Sequence, residues 1–92
     1  MERTKNYRDL EKIVKGFANH RRIQILELIY RLPGSSVADV STELGINFKT
    51  ASEHIRRIAH AGLLTKQYEG RTVRHQVTSL GTNILKFLRM LE

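Results

Sequence analysis

The chain has 92 residues, no cysteine, and 16 lysines and arginines against 9 acidic residues, for a net charge of +7. That length holds one domain, expected to span 1–92, and leaves no room for a separate catalytic or effector domain. The missing thiols exclude disulfides and thiolate metal sites, the charge favours an anionic partner, and the lack of a long apolar run or signal-peptide pattern predicts a soluble cytoplasmic protein with no membrane partner.

In chain order, Leu10, Ile13, Val14 and Phe17 are spaced for one amphipathic helix. Ile23, Ile25, Leu26, Leu28, Ile29 and Leu32 are apolar around more than one face, which predicts a central helix covered on several sides. Leu32-Pro33-Gly34-Ser35 ends it, and Ser35 and Ser36 open the next helix, as a cap or as donors to a phosphate. Val37, Val40 and Leu44 fall on one stripe of that short helix. Gly45 breaks it and supplies the left-handed backbone of a tight corner, with Ile46 free to turn inward. Asn47 then caps a helix expected over 47–62, where Ala51, Ile55, Ile58 and Gly62 form a narrow buried stripe and Lys49, Glu53, Arg56, Arg57 and His60 face out. Two helices about a glycine corner, the second basic on its outer face, are the pattern of a helix-turn-helix that reads a DNA groove.

Leu64–Tyr68 and Thr72–Thr78 are β-rich segments around Glu69-Gly70-Arg71, which predicts a hairpin over 64–78. Thr78 or Ser79 caps a last helix, with Leu80, Ile84, Phe87, Leu88 and Leu91 on one stripe and Leu85 and Met90 off it. An apolar surplus at the end of a chain with a thin core predicts a homodimer. Its expected interface takes Leu10 and Ile13 from the first helix and Leu85, Phe87, Leu88 and Leu91 from the last. The fold class is therefore mainly α with a small β-hairpin, five helices plus a wing.

Charge placement narrows the candidate contacts. Residues 48–78 hold Lys49, Arg56, Arg57, Lys66, Arg71 and Arg74 against Glu53 and Glu69, whereas the preceding helix, with Asp39 and Glu43, has no cation. Lys49 and Arg56 lie near the centre of the exposed face, where arginine offers two donors to guanine. Thr50 and Ser52 flank that face as phosphate or base contacts, or as ordinary surface hydroxyls. Glu53 stands four residues from both Lys49 and Arg57, so an intrahelical ion pair that orients the basic side chains is its favoured role over a cytosine contact. Phe48 faces a thymine methyl or packs on the preceding helix. His54, about 60° off the buried stripe, reads as a structural residue at the edge of the core. Arg71 sits at the hairpin tip with Lys66 and Arg74 beside it, where a wing meets backbone or minor groove.

Helix, helix, helix-turn-helix, hairpin, helix is the winged-helix order, and over roughly residues 17–81 the chain resembles the ArsR-like group of bacterial and archaeal repressors. FANHRRIQILELI is similar to that family's stretch before the motif. VSTELGINFKTASEHIRRIAHAGLL is similar to its signature at Leu44, Gly45, Thr50, Ser52, His54, Ala61, Gly62 and Leu63. The tip EGR and the run VTSLG look like its wing and wing-to-helix junction, although VTSLG fits MarR-like regulators as well. The resemblance implies a prokaryotic repressor acting on a palindromic DNA operator. It departs from metal-sensing members: Ser36 and Ala38 stand where they place a Cys-x-Cys pair, and the helix from Ser79 to Glu92 has no histidine. No metal and no cofactor are expected, since His20, His54, His60 and His75 are scattered.

No nucleophile elbow, phosphate loop or paired carboxylates point to an enzyme. The competing reading is a winged-helix module for protein or RNA, because fold does not fix function. The cationic helix face argues against a protein partner, and the thin supply of aromatics, three Tyr and three Phe, argues against RNA. The sequence thus predicts a sequence-specific double-stranded-DNA-binding transcriptional regulator.

Overall fold

A computed structural model describes residues 5–92, so the first four residues of the expected domain lie outside the described part. Five helices and one hairpin follow in order: α1 (Tyr7–Phe17), α2 (His20–Arg31), α3 (Val37–Leu44), α4 (Phe48–His60), β1 (Leu64–Glu69), β2 (Thr72–Val77) and α5 (Ser79–Arg89). Each helix starts on a side chain that accepts from its first turn: Asn6, Asn19, Ser36, Asn47 and Thr78. Ser36 goes further and forms a reciprocal capping box with Asp39. These caps satisfy N–H groups that a helix cannot bond internally, so they fix where the chain changes direction.

The core is built on α2, whose Ile25, Leu26, Leu28 and Ile29 are buried together with Phe17, Val40, Ala51, Ile55, Ile58, Leu63 and Leu64. Leu32, expected inside the central helix, is instead its C-cap and half-exposed, because the chain turns there toward Pro33. Gly45 takes the left-handed conformation at φ 64° and ψ 34°, and Ile46 behind it packs against the core, its carbonyl accepting from the Ser41 hydroxyl at 2.6 Å. The helix expected over 47–62 is shorter at its far end. Ala61 is the C-cap of α4, and Gly62 is exposed at φ 84°, a conformation that turns the chain toward β1 and takes this residue off the buried stripe.

The hairpin pairs Leu64 with Val77 through Glu69 with Thr72, antiparallel, around Gly70 and Arg71. It is fastened to the body at His75, which is 1% exposed and bridges to Ser35. The His75 amide donates to the Ser35 carbonyl at 3.0 Å, and the Gly34 amide donates to the His75 carbonyl at 2.8 Å. His75 Nδ1 lies 2.9 Å from the same Ser35 oxygen. At the other end of β2, Gly81 lets α5 close on the chain: a β-carbon there would stand 2.5 Å from the Leu63 carbonyl oxygen and 2.7 Å from Val77 Cγ1.

Burial pushes the His75 pKa down, with Lys66 acting in the same sense and the bond to Ser35 opposing. His54 is lowered too, by burial first and then by Arg22 and Arg57. Just below the ordinary histidine value of about 6.5 the unfolded chain therefore binds more protons than the folded one. The stability from neutral His75 and His54 is complete above that value and is lost as pH falls toward the lowered ones. Urea unfolding should show a lower midpoint at about pH 5.5 than at about pH 7.5, and His75→Gln should shrink that difference. A variant with the full pH dependence of the parent would clear His75 of the effect.

Two expected apolar stripes are corrected by the packing. On α1 Phe17 is buried while Leu10 and Ile13 are half-buried, but Val14 is half-exposed. On α5 the side chains packed on the core are Leu80, Ile84, Leu85 and Leu88, whereas Phe87 points away from it; the helix ends at Arg89, so Leu91, expected on its stripe, lies in the exposed turn beyond with Met90. The helix docks with its face rotated toward Leu85, because α5 meets α2 as well as β2 and so uses a broader inner surface than one stripe.

Candidate nucleic-acid interface

Asn47 holds the first turn of α4 in place, its side-chain oxygen accepting from the Lys49 amide at 2.8 Å and the Thr50 amide at 3.3 Å. That oxygen is thereby engaged, and only the amide nitrogen of Asn47 is left for another partner. Buried Ala51, Ile55 and Ile58 on the inner face turn Lys49, Glu53, Arg56 and Arg57 outward, as the spacing requires. Thr50 is exposed and Ser52 half-buried beside them. Phe48 is largely exposed, which favours its outward alternative. His54 is half-buried, with Nδ1 3.5 Å from an Arg22 guanidinium nitrogen, at the edge of the core as expected.

Glu53 is the organiser of this face. It accepts from Arg56 Nη2 at 2.7 Å and Nε at 3.3 Å, and from Arg57 Nε at 3.2 Å. The Arg56 bond is the first cause holding the Glu53 carboxyl below its ordinary range, and the same contact raises Arg56. The expected ion pair with Arg57 is thus present, and Arg56 joins it at i+3. No ion pair links Glu53 to Lys49 among the described residues. Lys49 keeps a free ammonium on the exposed face, among the described residues.

The wing cations divide. Arg71 is exposed at the tip, and Lys66 is exposed on β1, where it shares a cavity of about 360 Å³ with Arg56, Ala59, His60 and Leu64. Arg74, grouped with them in the sequence, is half-exposed and bonded within the chain. Its Nη1 donates to the Gly34 carbonyl at 3.1 Å, its Nε donates to Glu69 at 3.3 Å, and Asp39 lies 4.0 Å away. It ties the wing to the turn before α3, with 41% of its side chain still exposed. Its spacing along the sequence carries no sign of that role, because Gly34 is forty positions away.

Five helices, among them a basic α4 capped by Asn47 after the corner at Gly45, and an antiparallel wing beside it make one architecture. The model of the winged helix DNA-binding domain family matches residues 19–81. The chain belongs to that family. No curated protein sequence matches it. Among solved structures the winged helix domain is similar to HlyU from Vibrio cholerae N16961, at 26% identity over 97% of each chain with a TM-score of 0.81. It shares its fold with the homodimeric winged helix-turn-helix DNA-binding domain (fragment 1-100) of a possible ArsR-family transcriptional regulator from Mycobacterium bovis. There the identity is 22%, the coverage 99% of this chain and 89% of that one, and the TM-score 0.82. FabT from Streptococcus pneumoniae, solved in complex with DNA, has the same fold over 77% of this chain and 52% of its own, at 18% identity and a TM-score of 0.70. Among the described residues of the winged helix domain, no three His, Asp or Glu side chains gather into a metal-ligand group, and no helix is long and apolar enough to cross a membrane.

Proposed function

We propose that this winged helix domain is a homodimeric, sequence-specific regulator of transcription that binds double-stranded DNA and represses from a palindromic operator. The observation that carries it is the outer face of α4. Its N-terminal half presents free Lys49 with Thr50, its middle presents Arg56 and Arg57 ordered by Glu53, and Lys66 joins the same surface from the wing. Docked in the major groove by its N-terminal half, α4 offers Lys49 and Arg56 to base edges, while Lys66 and Arg71 meet backbone or minor groove. Neighbours of the same fold support the dimer and the DNA: the Mycobacterium bovis domain is described as homodimeric and as a possible ArsR-family regulator, and FabT is solved on DNA. An ArsR-like assignment fits these neighbours and the resemblance of the helix-turn-helix.

For the dimer, Phe87 of α5 and Leu91 just beyond its end supply the exposed apolar contact, and Leu85, Leu88 and, from α1, half-buried Leu10 and Ile13 are the further proposed contacts. Selection of bound duplexes from a random pool with the purified chain tests the whole reading. The expected result is an inverted repeat with half-site centres about 10 base pairs apart or a small multiple of it. A pool that shows no enrichment would sink the sequence-specific reading, and an asymmetric consensus would sink the symmetric dimer.

A further inference from the structure

We propose that the groove between α1 and the C-terminal half of α4 binds a phosphate group, carried by the backbone of bound DNA or by a free ligand. For the DNA source the inference rests on the function proposed above; for the free source it stands alone. The groove has a volume of about 220 Å³, and five basic side chains line it: Lys12 and Lys15 from α1, and Arg56, Arg57 and His60 from α4. Its floor is Gly16 against Ala61. A β-carbon on Gly16 would collide with the Ala61 β-carbon, so α1 approaches the end of α4 at backbone distance there.

The charge is not balanced within the chain. Glu11 pairs with Lys15 at 3.4 Å, and Glu53 serves both Arg56 and Arg57, which leaves four fixed positive charges against two negative before His60 is counted. Lys12 makes no ion pair among the described residues. Behind Lys15, outside the lining of the groove, stands a further cation. Arg22 donates to the Lys15 carbonyl at 3.0 Å, yet its Nε is buried without a hydrogen-bond partner among the described residues, and burial followed by the neighbouring Arg57 depresses its pKa. Like charges are thus held together at the α1, α2 and α4 junction, an arrangement that an anion relieves.

Size and position favour phosphate over a larger molecule. The groove is smaller than the roughly 300–1,000 Å³ of a pocket for a drug-sized ligand, and lysine and arginine together supply the many donors that phosphate oxygens accept. The cationic strip continues past Arg56 and His60 to Lys66. His60 lies about 16 Å of helical rise beyond Lys49, farther than the roughly 12 Å width of the major groove. When α4 is tilted across that groove with Lys49 over base edges, its other end meets the sugar-phosphate wall.

The test uses the full chain with Lys12→Gln and Lys15→Gln combined, both exposed positions, after circular dichroism has shown an unchanged fold. If the source is DNA, affinity for a selected and for a scrambled duplex falls by the same factor, about tenfold. The magnitude of the log-log salt slope falls by about 1 for each protomer. If the source is a free ligand, DNA binding is unchanged, but inorganic phosphate titrated into the DNA-free parent gives saturable amide shifts at Gly16 and Ala61 that the variant lacks. Unchanged DNA binding with no such shifts overturns the proposal. Lys49→Ala and Arg71→Ala measured alongside separate the failures: if they weaken DNA binding while the double variant does not, DNA is excluded as the source and the functional reading stands, and if they too have no effect that reading falls.

Discussion

Replacing Phe87 and Leu91 together by glutamate should turn the proposed dimer into monomers and weaken operator binding by roughly 100- to 10,000-fold, the range that a second linked site contributes. Both side chains point away from the core at 50% and 67% exposure, Phe87 on the last turn of α5 and Leu91 in the turn that follows it, with Met90 between at 81%. Their own chain leaves them half or more in water. A partner copy that covers them removes apolar surface at about 25 cal/mol per Å², and four carboxylates brought together across a two-fold axis reverse that gain. Because neither position packs in the core, the variant should keep the helical spectrum and thermal unfolding of a folded chain. Light scattering and a duplex titration check it. A dimer mass with unchanged affinity would show that α5 is not the interface.

Much of this architecture is written in local signals. Gly45, Asn47 and the Ser36 cap mark the helix-turn-helix because each answers a local need, a left-handed corner or unpaired N–H groups, that few residue types meet. The hairpin is equally local, since Gly70 and the alternating segments lie within a dozen or so residues. What local spacing leaves open is decided by tertiary contacts. On α5, apolar residues at 84, 85, 87, 88 and 91 allow two overlapping stripes, and only docking on α2 selects Leu85 over Phe87. His75 alternates like any strand residue, and its burial comes from pairing with Ser35 across forty positions. The same distant turn claims Arg74. Asn19, which separates α1 from α2 without proline or glycine, is a weak signal that only its cap bonds to Arg21 and Arg22 make plain.

The division of labour between recognition helix and wing gives the second large effect. Lys49→Ala should lower affinity for the selected duplex by about 1 to 3 kcal/mol at each half-site, and relax discrimination at the base pair it faces. Lys49 has no acidic partner among the described residues, so nothing in the free chain competes for its ammonium. Arg56 starts from a different state. Its fork is closed on Glu53, and a guanine contact requires that pair to open. The pair is solvent-exposed, however, and exposed ion pairs contribute less than a bidentate base contact, so the competition favours DNA once α4 is docked. Glu53→Gln therefore should not abolish specificity; it should leave Arg56 and Arg57 less ordered and blunt discrimination only in part. Arg71→Ala differs in kind, because a tip arginine on phosphate or minor groove carries little sequence information. It should weaken selected and scrambled duplexes alike, and its loss from both subunits should reduce the magnitude of the log-log salt slope by about 2. Titrating selected and scrambled duplexes across a salt series reads both signatures at once. Equal loss on both duplexes for Lys49→Ala would move that lysine from the base edges to the backbone, and a sequence-dependent loss for Arg71→Ala would make the wing a reader of bases.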